Sequence, residues 1–182
     1  MVFIKGSLES MVREVNADLS SPIIDQIVGY GVDTFERVHS DYIERLREHI
    51  FNRKDIEALK CDSDFSNIVP ELDVEMSVVD MLLENAHYRG YLGDSSKQIT
   101  MKYYFGKEGV VIQVIDQGVG FDAQKVINAF EQQAQNKGEH YQDNGWAMRT
   151  LLKPEFHVNI QSSTDKPTGT TVTLMYKYQH LK

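Results

Sequence analysis

The sequence has one cysteine, Cys61, in 182 residues. A single thiol excludes both an internal disulfide and a multi-thiolate metal cluster within one chain. Basic residues are also scarce: Lys and Arg number 19 against 27 Asp and Glu, a formal net charge of -8. That shortage argues against a duplex nucleic-acid binder, which needs a basic face to displace counterions. It does not exclude a nucleotide, which is held by a few local donors, backbone amides and a metal ion rather than by bulk charge. No run approaches the ~20 apolar residues of a membrane span. The stretch from Met1 to Ser10 carries Lys5 and Glu9 and lacks an apolar signal core, so export by that route is not expected and the cytoplasm is the expected compartment. The histidines at 39, 48, 87, 140, 157 and 180 show no metal-ligand spacing, and the chain has neither a P-loop nor a nucleophile motif. His39-Ser40-Asp41 faintly suggests a phosphoacceptor histidine followed by an acid. Without the rest of such a motif, a surface or interface histidine is the better reading.

What is there is the composition of a soluble globular domain, 41% apolar and 25% charged. The length suits one domain of ordinary size with a buried core. Up to about residue 69 the signal is helical. Leu8, Met11, Val12, Val15 and Leu19 recur at helical spacing, and Ser21-Pro22 reads as the N-cap and first turn of a second helix. Gly29 and Gly31 interrupt it, and Phe35, Val38, Tyr42, Leu46 and Ile50 resume a helical stripe. Residues 1–69 are therefore expected to form a helical segment that packs on the rest or makes a homodimer. From residue 70 to 182 the pattern is mixed. Helices are expected over 74–88, 123–135 and 146–152, and strands over 98–105, 110–116, 155–163 and 170–178, the first two joined as a hairpin through the turn 106–109. This order predicts an α+β fold, a two-layer α/β sandwich with a mixed, mostly antiparallel sheet.

Four stations carry chemistry. In Asp116-Gln117-Gly118-Val119-Gly120-Phe121-Asp122 an apolar strand ends at a carboxylate and runs into spaced glycines. A carboxylate there can accept from an exocyclic amine, and glycines let backbone approach a flat ring. Taken alone, the segment reads better as a strand–turn–helix junction with Asp as a cap. On the helix 74–88, Ser77, Asp80, Glu84 and His87 form the polar face, while Asn85 falls on the apolar stripe of Val74, Val78, Met81 and Leu82. A buried amide without partners would cost roughly 1–3 kcal/mol; it either bonds backbone or offers its carbonyl oxygen to Mg²⁺. Asn144-Gly145-Trp146-Ala147-Met148 opens a helix after a polar loop, where backbone N–H groups can cradle phosphate. Gly169-Thr170-Thr171-Val172 enters an alternating strand.

In this order the stations resemble the boxes of the GHKL superfamily of ATPases and kinases, whose ATP-binding domain is the Bergerat fold. Glu84-Asn85-Ala86-His87-Tyr88-Arg89-Gly90 looks like the N box, and residues 116–122 match the first glycine box. Residues 145–148 are similar to the second glycine box and 169–172 to the last. The resemblance covers about residues 70–178, and its N box is most similar to that of the anti-sigma-factor serine-kinase branch. It implies that Asp116 accepts from the adenine amino group, with Thr170 in support directly or through water. Gly118 and Gly120 would let the backbone close over the base, and Phe121 and Gly169 would also belong to the nucleotide-binding set. Asn85 would hold Mg²⁺, and Gly145, Trp146, Ala147 and Met148 would face the phosphates of ATP beneath a lid at 131–143. Arg89 would touch phosphate or stand as a solvated charge at the helix end.

The pattern departs from the family at two places. Members that turn over ATP often carry Glu or Asn one helical turn before the Mg²⁺ asparagine, and Met81 stands there. Ala147 replaces a second glycine beside the bulky Trp146. The implied function is an ATP- and Mg²⁺-binding regulatory protein in bacterial signalling, leaning to a protein kinase of serine/threonine or histidine-kinase type. Its protein partner would be a sigma factor, an anti-anti-sigma-like protein or a response-regulator-like protein. The alternative is a catalytically impaired, nucleotide-responsive interaction module; Met81 favours it.

Overall fold

The computed structural model describes residues 6–28, 78–87, 97–122, 125, 128, 157–163 and 168–177. Helix α1 (Leu8–Glu14) is followed by strand β1 (Ile23–Val28), helix α2 (Val78–Asn85) and strands β2 (Gln98–Phe105), β3 (Gly109–Asp116), β4 (His157–Ser163) and β5 (Gly169–Lys177). The fold of the described residues is α+β: two helices and a five-stranded sheet in the order β1-β2-β3-β5-β4. All of its pairings are antiparallel, so no mixed character appears among the described strands. The helical stripe from Phe35 to Ile50, the expected helix over 146–152, all of the expected helix over 123–135 except residues 125 and 128, and the division at residues 69/70 fall outside the described residues.

The expected hairpin forms, closed by the Gly106 N–H donating to the Gly109 carbonyl at 2.9 Å. Strand β3 is central. Residues 110–114, Val-Val-Ile-Gln-Val, are all buried, as expected of a strand covered on both faces, where alternation is lost. Its one polar member, Gln113, donates through Nε2 to Thr173 Oγ1 at 3.0 Å, so the amide is not left unpaired.

Register sorts the side chains onto two faces. One face carries Tyr103, Ile112, Leu174 and Val158 in a transverse row, beside a second row of Met101, Val114, Val172 and Ile160. The other carries Tyr104, Val111 and Met175, and here α1 docks with Met11, Val12 and Val15. Burying three such side chains contributes roughly 1.5–3 kcal/mol each. The Glu14–Lys177 ion pair at 2.7 Å is about half exposed and adds little by comparison. The Val15 carbonyl also accepts from Glu108 N–H at 3.2 Å, tying the end of α1 to the β2–β3 turn.

The second helix expected from Ser21-Pro22 is not formed. Residues 23–28 are strand β1, paired along its length with β2. Ile23, Ile24, Ile27 and Val28 also fit a helical period, which is why spacing misleads. Their β-branched side chains favour the pleated sheet, and Pro22 is tolerated just ahead of a strand. Asp18 redirects the chain between α1 and β1, its Oδ1 accepting from Ser20 N–H at 2.8 Å and from the Ser20 hydroxyl at 2.7 Å.

Candidate functional site

Strand β3 ends at Asp116, and register places Ile99, Asp116, Thr170 and Ser162 directly opposite one another on β2, β3, β5 and β4. The row lies on the Tyr103–Ile112–Leu174–Val158 face, one end of which is thus polar. Asp116 Oδ1 accepts from Gly118 N–H at 2.7 Å and from Thr170 N–H at 3.2 Å. The first of these bonds is a local turn of the kind any Asp before a glycine makes. The second comes from another strand, and a simple cap does not account for it. Asp122 Oδ1 accepts from Lys125 N–H at 2.9 Å, and Lys125 and Asn128 have helical backbone.

Burial pushes the Asp116 carboxyl above the ordinary aspartate range, opposed by the Gly118 and Thr170 N–H bonds, then by the Thr170 side chain and Lys97. Both backbone donors converge on Oδ1, and neither uses Oδ2. An incoming amine would favour the ionised carboxylate and draw the pKa back down.

Glycines shape the backbone around this carboxylate. Gly120 has φ 70°, which turns the loop so that Phe121 N–H reaches across to β4 and donates to Ser162 Oγ at 2.8 Å. Gly169 has φ 143°, and a Cβ there would overlap the Asp116 carbonyl oxygen. The glycine before Thr170 is therefore demanded twice, by its dihedral angle and by the closeness of β3.

Ser162, which nothing in the sequence motifs singled out, joins this cluster. Its Oγ lies 3.0 Å from Thr170 Oγ1 and 3.3 Å from the Gly169 carbonyl as well as accepting from Phe121. The signal was present in the alternation of β4: Val158 and Ile160 occupy the apolar phase, and Ser162 continues that phase with a hydroxyl.

The structure thus brings Asp116, Gly118, Gly120, Phe121, Gly169 and Thr170 together. Asn85 differs from expectation. It is exposed, while Leu82, Leu83, Ala86 and His87 are buried. At 100° per residue the centre of that buried face lies about 130° from Asn85. The stripe is rotated, and the desolvation cost that singled out Asn85 does not arise, since water satisfies an exposed amide. His87, expected on the polar face, is buried, and desolvation pushes its imidazole below the ordinary range. Among the described residues no hydrogen bond joins Asn85 to the Asp116 row. Arg89, Gly145, Trp146, Ala147, Met148 and the lid at 131–143 lie outside the described residues.

Among the described residues no group of three or more His, Cys, Asp or Glu is arranged to hold a metal ion. A single asparagine, with phosphates and water as the other ligands, would not form such a group. No helix among the described residues is long and apolar enough to cross a membrane. No protein-family model and no curated protein matches the chain.

Proposed function

We propose that this protein binds ATP with Mg²⁺ in a Bergerat-type two-layer sandwich, as the GHKL resemblance implies, and uses the bound nucleotide to regulate a protein partner. One observation carries the reading. A strand-end carboxylate is held through one oxygen by two backbone N–H groups from separate elements, while spaced glycines and Thr170 surround it. A strand–turn junction has no need of the Thr170 bond or of Gly169 pressed on Asp116. An adenine pocket needs both, because the acceptor for the amino group must be rigid and the backbone must leave room for a flat ring. Asn85, exposed at the end of α2, is free to offer its carbonyl oxygen to a nucleotide-bound Mg²⁺.

Titration with ATP, read by calorimetry and by fluorescence of Trp146, the only tryptophan, tests the reading. Saturable binding that strengthens with Mg²⁺ is expected. In Asn85→Ala the nucleotide should still bind but without the Mg²⁺ enhancement. No binding by either method would overturn the assignment.

A second reading, a nucleotide-responsive module without phosphotransfer, is favoured by Met81. It stands one turn before Asn85 on α2, where a thioether can neither take a proton nor orient a water or hydroxyl. Under this reading the native chain shows no ATP turnover, and Met81→Glu raises hydrolysis above background while leaving ATP affinity within about threefold, a difference under 1 kcal/mol. Turnover by the native chain, measured as phosphate release or labelled-phosphate transfer, would restore the kinase reading.

A further inference from the structure

Ser162 Oγ has one proton and lies near two possible acceptors. Phe121 N–H already donates to it at 2.8 Å, so its own proton goes either to Thr170 Oγ1 at 3.0 Å or to the Gly169 carbonyl at 3.3 Å. The choice decides the direction of the whole row. If Ser162 donates to the Gly169 carbonyl, the 3.0 Å contact requires Thr170 to donate to Ser162, and the Thr170 proton is spent there. If Ser162 donates to Thr170, the Thr170 proton is turned away from Ser162 and is available to an incoming acceptor beside Asp116. The second arrangement uses the shorter oxygen–oxygen contact, 3.0 Å against 3.3 Å. Aligned donors reinforce one another, which favours the run from Phe121 N–H through Ser162 to Thr170.

We infer that Ser162 is a positioning and specificity residue: by filling a lone pair of Thr170 it makes that hydroxyl a donor, so that Asp116 and Thr170 together present an acceptor beside a donor. This rests on the nucleotide-binding reading above. An amino-purine edge offers the complement, an N–H donor next to a ring-nitrogen acceptor, met directly or through one bound water. A 6-keto purine offers the reverse, and its carbonyl would face the Asp116 carboxylate. A free Thr170 hydroxyl could rotate to suit either base; a Thr170 held by Ser162 suits one. The same serine anchors Phe121 N–H, so the loop carrying Gly118 and Gly120 and the hydroxyl of Thr170 are set by a single atom.

The test compares ATP with inosine triphosphate, which carries the 6-keto edge, by calorimetry on the full chain. Wild type should prefer ATP. Ser162→Ala should weaken ATP by roughly tenfold, the scale of a lost hydrogen bond with a partner left unpaired, and weaken inosine triphosphate less, so that the preference narrows. Ser162→Thr should retain both affinities. Ser162→Val, nearly isosteric with Thr but without the hydroxyl, makes the same comparison should the alanine variant fold poorly; it should behave as Ser162→Ala. Unchanged ATP affinity and preference in the hydroxyl-less variants would overturn the inference and leave the nucleotide site standing. Equal losses for both nucleotides would make Ser162 merely structural and also overturn it. Wild-type protein that binds neither nucleotide would overturn the underlying reading and this inference with it.

Discussion

Asp116→Asn is expected to remove ATP binding while leaving the fold in place. The asparagine carbonyl can take over the position of Oδ1 and keep the bonds from Gly118 N–H at 2.7 Å and Thr170 N–H at 3.2 Å. The amide nitrogen must then occupy the place of Oδ2 and point donors at the donor of the incoming amine. Losing a bond to a charged group costs about 1.5–3 kcal/mol and leaving a donor unmatched about 1–3 kcal/mol. Together these correspond to a fall in affinity of roughly 100-fold or more. Calorimetric titration alongside thermal unfolding separates the two halves of the expectation. Native affinity in the variant would remove Asp116 from the adenine site. A large loss of thermal stability would show that its role is structural.

Gly169→Ala should behave in the opposite way, damaging both site and fold. At φ 143° a residue with a side chain is strained, and the added carbon would overlap the Asp116 carbonyl oxygen. Relief requires β5 to move away from β3 at the place where Thr170 N–H reaches Asp116 Oδ1. Strain of this kind costs on the order of 1–3 kcal/mol before any overlap is counted. For a chain of this size that lowers the melting temperature by roughly 5–10 °C. Nucleotide affinity should fall with it, because the acceptor is no longer fixed. Differential scanning calorimetry with and without ATP checks both effects. A variant with native melting temperature and affinity would mean that β3 and β5 do not approach as closely as they do here.

Much of the sheet was legible because its signals are local. The alternation in residues 98–105 and 170–177 and the apolar run of β3 each depend only on neighbours within one strand, and Gly106 to Gly109 marks the turn between two of them. The carboxylate at the end of β3 was legible for the same reason. Strand β1 was not, because Ile23, Ile24, Ile27 and Val28 satisfy both a helical and an extended spacing. Only a partner strand with free hydrogen-bonding groups chooses between them. The exposure of Asn85 was hidden in a similar way. The sequence of α2 defines an amphipathic helix, but which apolar positions turn inward depends on what it packs against; Leu83 and Ala86 turn inward here.

The sequence by itself determined that the chain carries little positive charge and one thiol, and that a carboxylate with spaced glycines follows an apolar strand. It also placed Gly-Thr at the head of another strand. These are properties of single segments, set by composition, period and the steric demands of each residue. Only the tertiary structure decided that Asp116, Thr170 and Ser162 stand in one row, that Phe121 is tied to Ser162, and that Gly169 lies against Asp116. Those relations join residues up to 54 positions apart in hydrogen bonds. They depend on strand order and register, which arise from pairing between segments and leave no periodic trace within any one of them.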